Sequence, residues 1–203
     1  MPDSSSISTV ASALPYVHPL DDFYARAGVA LPKIERITSE QMPEPYRSLL
    51  AHSNDMTPTL QKFHESEIHL RLLGREERGD FYFRQVVLQL DGTEQPVEFG
   101  AIKISLALFP PRARHLILAE RVPLGAILKT CEVGHTTVAK AFFSLEPDEL
   151  ISRALNLTGP AILYGRRANI LDSNKRPLSE IVEVLPPERV KQKPTAPKND
   201  NTK

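Results

Sequence analysis

The stretch "FYFRQVVLQLDGTEQPVEFGAIKISLALF", residues 81–109, decides the fold. Successive side chains of a strand point to opposite faces. Residues 81–90 then place Phe81, Phe83, Gln85, Val87 and Gln89 on one side and Tyr82, Arg84, Val86, Leu88 and Leu90 on the other. Asp91-Gly92 is a hairpin signal, and the apolar run from Pro96 to Phe109 returns as a second long strand. The pair reads as the centre of an antiparallel sheet. Arg84 is its anomaly, a cation among four apolar or aromatic neighbours on the face better suited to the core.

Working outward, "IHLRLL" (68–73) alternates and charged "GREERGD" (74–80) reads as a turn. "HTTVAKAFFSLE" (135–146) reads as a further strand, and "AILYGRRANIL" with "LSEIVEVL" as a closing hairpin across "DSNKRP". Helices are expected in "TSEQMPEPYRSLLAHSND" and, with Asp55 or Thr57 as N-cap, in "DMTPTLQKFHES". Short helical pieces fall in "PPRARHLILAERVPLGAILK", and a short amphipathic one in "EPDELISRALNL". Six strands joined mainly by hairpins, with clustered helices, predict a single antiparallel α+β domain over residues 21–187. Residues 1–20 read as a flexible Ser/Pro-rich segment and 188–203 as a disordered Lys/Pro-rich tail.

Composition narrows the function. Lys+Arg and Asp+Glu both number 25, and the tail from Glu188 holds five basic against two acidic residues, so the folded part is mildly acidic. That argues against nucleic acid as a partner. A single cysteine, Cys131, excludes an internal disulfide framework and a multi-cysteine zinc site. The N-terminus lacks the basic and apolar regions of a secretory signal, and no run is long enough to cross a bilayer. The expectation is a cytoplasmic monomer with no membrane partner. There is no GxSxG, P-loop, GxGxxG or HExxH motif, and the six histidines are scattered. A cofactor-free, metal-free pocket is the remaining reading.

Glu183 is the second charge in an apolar strand, sharing a face with Ile181 and Leu185. A buried ion is paired or neutralised. Arg84 and Glu183 therefore form one structural ion pair, or they line a pocket in which Arg84 meets a ligand carboxylate through its two-pronged fork. Arg166 and Arg167 alternate, so at most one points inward, and Lys103 shares a face with Phe99, Ala101 and Ser105.

Taken in order, "NDMTPTLQKF", "FYFRQVVLQLDG", "VPLGAIL" and "LYGRRANILDSNKRPLSEIVEVLPP" resemble segments of the chorismate pyruvate-lyases, over roughly residues 45–187. These are cofactor-independent enzymes that make 4-hydroxybenzoate for quinone synthesis. The resemblance implies a closed internal site beneath helical flaps. It puts the carboxylate-binding arginine on Arg84, the hydroxyl-contacting glutamate, which could also assist as acid or base near the ether oxygen, on Glu183, and further contacts on Met56 and on Leu124 and Gly125 of a Pro-Leu-Gly loop. Arg166, Arg167 or Lys103 would hold the second carboxylate of chorismate, whose loss of pyruvate aromatises the ring. Two departures stand out. Ala101 follows the strand glycine Gly100 where many family members carry arginine, and Pro177 to Glu183 is one residue longer than the family pattern, which makes Glu180 a second candidate for the glutamate.

The resemblance leaves two alternatives to pyruvate release. One is a non-catalytic domain binding an aromatic or cyclohexadiene carboxylate, since the fold also senses effectors in some bacterial regulators. Their winged-helix reader has no counterpart in the first 55 residues. The other is a relative recruited to a different cofactor-free reaction, such as a cyclisation.

Overall fold

The structure is a computed structural model that describes residues 15–188. Its strands are β1 (Ile34–Ile37), β2 (Ile68–Arg78), β3 (Phe81–Leu90), β4 (Pro96–Ser105), β5 (His135–Leu145), β6 (Leu163–Asp172) and β7 (Pro177–Leu185). They form one antiparallel sheet in the order β1-β5-β6-β7-β4-β3-β2. The α+β expectation holds with seven strands among the described residues rather than six. The extra one, β1, is only four residues long and carries Glu35 and Arg36, too little alternation to read as a strand; it is held by its ladder to β5.

The hairpin of residues 81–109 lies where its residues require. β3 is buried at eight of ten positions and β4 at eight of ten, on both faces, because helices cover the sheet on both sides. One correction concerns "GREERGD". β2 runs through Gly74–Arg78, and only Gly79 and Asp80 make the turn. This segment is the sheet's outer edge, where charged side chains meet water and discourage pairing with another chain.

One face packs against a 3-10 turn (Pro15–Val17), α1 (Leu20–Ala27) and α6 (Glu149–Ala154), with Val87, Phe99, Phe143, Val182 and Val184 at its centre. The other face carries α2 (Tyr46–Leu50), α3 (Met56–His64), α4 (Pro111–Leu118) and α5 (Leu124–Thr130) over two apolar clusters, one around Val86 and Leu88, the other around Tyr82 and Ile102. Val17 and Leu20 are fully buried, so the packed domain begins by Pro15, not at Asp21. The rest of the expected N-terminal segment lies outside the described residues, as does the tail except Glu188, whose amide donates to Tyr46 Oη at 2.7 Å. No described helix is long and apolar enough to cross a membrane.

The two inner hairpins set the site. The β3–β4 ladder places Arg84 opposite Ile102, Val86 opposite Gly100 and Leu88 opposite Glu98. The β4–β7 and β6–β7 ladders continue the middle row through Glu183 to Arg166. Gly165 precedes Arg166 for a steric reason. A Cβ there would lie 2.5 Å from Phe143 Cζ and 2.6 Å from the Glu183 carbonyl oxygen, so only glycine lets β5 and β7 close on β6.

Candidate functional site

Side chains from both central hairpins and the overlying helices enclose a cavity of about 60 Å³. Its floor is sheet: Arg84, Val86 and Leu88 from β3, Glu98, Gly100 and Ile102 from β4, Arg166 and Ala168 from β6, Ile181 and Glu183 from β7. Its roof is Asp55, Met56 and Thr57 at the start of α3 and Pro123, Leu124 and Gly125 at the start of α5. Arg84, Glu183, Met56, Leu124, Gly125 and Arg166 are thus brought together. The segment read as a Pro-Leu-Gly loop is the first turn of α5, with Pro123 at its N-cap. Gly125 lets that turn sit close to α3, since a Cβ would be 3.3 Å from Thr57 Oγ1.

Lys103 is not in this group, and neither are Arg167 and Glu180. They form a cluster on the opposite face: Lys103 Nζ lies 3.0 Å from Glu180 Oε1, and Arg167 Nη2 lies 2.5 Å from Glu180 Oε2. The alternation across Arg166-Arg167 sends one inward and one outward. A register shift between Ile170 and Leu171, near the end of the β6–β7 ladder, takes up the extra residue after Pro177 and leaves Glu183, not Glu180, over the cavity.

Arg84 and Glu183 do not pair with each other. Glu183 Oε2 accepts from Arg166 Nε at 2.5 Å, and both side chains are buried. Arg166 also donates through Nη1 to the carbonyls of Leu50 and His52, at 3.2 and 3.0 Å, and through Nη2 to that of Asn54 at 3.2 Å. A guanidinium has five N–H groups. Arg166 therefore has little left to offer a ligand; it ties the segment between α2 and α3 to the sheet. Burial of the His52 ring, with the Arg166 charge beside it, lowers the His52 pKa from the usual imidazole range.

Arg84 is different. It is 1% exposed, and among the described residues no carboxylate lies within ion-pair distance of it. Its Nε has no partner, and Nη1 reaches only the Ile117 carbonyl at the end of α4, at 3.5 Å. Burial lowers its pKa from the usual arginine range, with Tyr82 and Glu120 opposing the shift. Glu120 is itself engaged, by the Tyr82 hydroxyl and by Arg75 Nη1. An unpaired buried ion costs several kcal/mol.

Two features were absent from the sequence reading. Glu98 is 4% exposed, lines the cavity, and has an unpartnered Oε2. Burial, reinforced by the nearby Glu183 charge, raises its pKa well above the usual carboxylate range. The signal was available, because Glu98 interrupts an apolar strand as Arg84 does. Asp55 sits at the N-cap of α3 as expected, yet its side chain caps nothing. It accepts from Thr137 Oγ1 at 2.7 Å and lies 2.9 Å from His135 Nε2, which clamps the roof to β5. Among the described residues no cluster of His, Cys, Asp and Glu could hold a metal ion.

On the sheet floor Glu183 pairs with Arg166, and Arg84 has no carboxylate partner among the described residues. This arrangement suits one organic anion.

No protein-family model matches the chain, and no curated protein matches it. Solved structures do. The effector domain of PhnF from Mycobacterium smegmatis is similar with a TM-score of 0.54 at 14% identity, over 67% of this chain and 90% of that one. PhnF from the same organism gives 0.53 at 14% identity, over 67% of this chain and 65% of that one. A GntR-family transcriptional regulator from Bacillus cereus gives 0.46 at 15% identity, over 64% and 99%. The chain thus spans about 65% of the length of PhnF. The likeness shows a common α+β fold with a helix-covered antiparallel sheet.

Proposed function

We propose that this domain binds a small cyclic monocarboxylate in the cavity between the sheet and α3 and α5, as an effector-binding module. The observation that carries this reading is Arg84: a buried guanidinium without a carboxylate partner among the described residues, open to a cavity. A ligand carboxylate would satisfy two of its N–H groups at once and remove the cost of the unpaired charge. The fold shared with an effector domain supports binding over catalysis. So does the single unpaired cation of the cavity floor, Arg84. Chorismate has two carboxylates, and of the three candidate cations for the second, Arg166 is occupied by Glu183 and backbone carbonyls, while Lys103 and Arg167 are paired with Glu180.

The cavity of about 60 Å³ is smaller than the roughly 150 Å³ that accommodates a benzene ring. Binding therefore includes an outward shift of the roof, where Asp55 and Arg166 hold the α2–α3 connection.

A second reading, pyruvate release from chorismate, is favoured by one specific fact: the lyase-like positions Arg84, Met56, Leu124, Gly125, Arg166 and Glu183 line one cavity. Glu183 and Glu98 would then be the groups able to move a proton at the ether oxygen. Calorimetric titration with 4-hydroxybenzoate, and a coupled assay for pyruvate with chorismate, separate the two. Binding without pyruvate release is the expected result. Metal-independent pyruvate release that is lost in Arg84→Ala would establish the lyase reading, and neither binding nor release would overturn both.

A further inference from the structure

The roof segment between α2 and α3, residues 51–55, forms neither helix nor strand. It hangs on Arg166, whose guanidinium binds the carbonyls of Leu50, His52 and Asn54. A second polar side chain is packed into the same joint. The Asn54 amide donates to His52 Nδ1 at 3.1 Å, and Arg166 Nη1 lies 3.3 Å from that nitrogen. Neither group can accept, so Nδ1 is the bare, accepting nitrogen of a neutral ring. The ring proton is on Nε2, which is buried and has no hydrogen-bond partner among the described residues.

A second proton has one place to go, Nδ1, and two donors already face it. Imidazolium donates at both nitrogens. Protonation therefore cancels the Asn54 bond and sets a cation against the Arg166 guanidinium. Burial and the Arg166 charge disfavour that proton, against the opposing backbone of Leu49 and Asn54 and the Glu183 charge. Asp55, Lys62 of α3 and His135 of β5 line the same outer pocket as His52. Lys62 adds positive charge. His135 acts in the opposite sense: its Nδ1 donates to the Val133 carbonyl at 2.7 Å, and a proton on Nε2 would give Asp55 Oδ2, 2.9 Å away, a donor.

We infer that His52 is an acid-sensitive latch on the roof of the cavity: neutral, it holds the α2–α3 connection to the sheet, and protonated at Nδ1 it releases it. The sign follows from linkage. With the connection lifted, the ring meets water and titrates near the ordinary value of about 6.5. The open roof thus binds the proton more tightly than the closed one. The latch acts in full above about pH 6.5 and weakens as pH falls toward the lower closed-state value, by at most about tenfold in the opening constant per pH unit. Its bearing on ligand entry rests on the carboxylate-binding reading; the latch itself does not.

The test is amide hydrogen exchange by NMR on the full chain at about pH 7 and pH 5.5, expressed as protection factors to remove the intrinsic pH dependence of exchange. The Asn54 amide and its neighbours in 51–55 are expected to lose protection by about five- to tenfold on acidification, with amides of β3 and β4 unchanged. The His52 ring should titrate with the midpoint of that loss. His52→Asn, whose side-chain oxygen accepts in place of Nδ1 and cannot titrate, should be equally protected at both pH values, and His135→Gln should keep the wild-type loss. Unchanged protection in the wild-type chain, a loss undiminished in His52→Asn, or a loss abolished in His135→Gln overturns the latch. Should His52→Asn be open at both pH values, the wild-type titration decides: a His52 midpoint away from that of the exchange change overturns it too. Stopped-flow association of 4-hydroxybenzoate should be faster at pH 5.5 by the same factor in the wild-type chain and pH-independent in His52→Asn. No binding at either pH, with exchange as expected, overturns the carboxylate reading and leaves the latch standing.

Discussion

Glu183 stands directly across the β6–β7 ladder from Arg166 and accepts from its Nε at 2.5 Å, both side chains being buried. The pair divides the cations of the cavity into one that is held and one that is free. It also makes Arg166 a structural brace, since the same guanidinium binds three carbonyls of the α2–α3 connection. Removing one partner of a buried pair strands the other. Arg166→Ala is therefore expected to destabilise the domain by about 3–5 kcal/mol. Urea unfolding measures this, and a loss below about 1 kcal/mol would show that the brace carries no weight.

Arg84 should behave in the opposite way. It has no protein carboxylate to strand, so replacing it by methionine removes a buried unpaired charge while keeping much of the volume. Arg84→Met is expected to unfold at the same or higher temperature than the wild-type chain and to lose carboxylate binding. Replacing buried ionic groups by apolar ones of similar size is often neutral or stabilising by about 1–4 kcal/mol. A strongly destabilised Arg84→Met would mean that the guanidinium is structural.

The contrast between these arginines marks the limit of what the sequence discloses. Arg84 and Glu183 were legible because a charge in an apolar, alternating strand has one parity and hence one face. Glu98 obeys the same rule within "PVEFGAIKIS", where it interrupts an apolar strand as Arg84 does. The partner of Glu183 was not legible. It depends on the ladder register after a shift at Ile170/Leu171, and a slip of one residue would have faced Glu180 inward instead. The Asp55 clamp was hidden for a different reason. Its two partners are about 80 residues away, and local pattern made Asp55 a helix cap, a role its position fulfils and its side chain does not.

Lys103 supplies a negative control from the other face of the sheet. Its ammonium pairs with Glu180 at 3.0 Å and lies 4.5 Å from the centre of the Phe81 ring, partly open to solvent. Lys103→Ala should leave 4-hydroxybenzoate affinity unchanged and cost no more than about 1 kcal/mol of stability. A tenfold loss of affinity would place a second cation in the site after all.

The protonation of Glu98 gives the domain a pH dependence with a definite sign. In the unfolded chain this group ionises near pH 4.3, about the ordinary glutamate value. In the folded protein, burial and the Glu183 charge hold the proton on to much higher pH. Across the interval between these values the native state binds one more proton than the unfolded state, so stability falls as pH rises, by at most about 1.4 kcal/mol per pH unit. The contribution is complete below pH 4.3 and gone above the folded-state value. Glu98→Gln cannot titrate, and its unfolding free energy should decline less steeply over the same interval, diverging upward from the wild-type curve as pH rises. Parallel curves from pH 5 to 8 in urea titrations would show that Glu98 is ionised in the native protein.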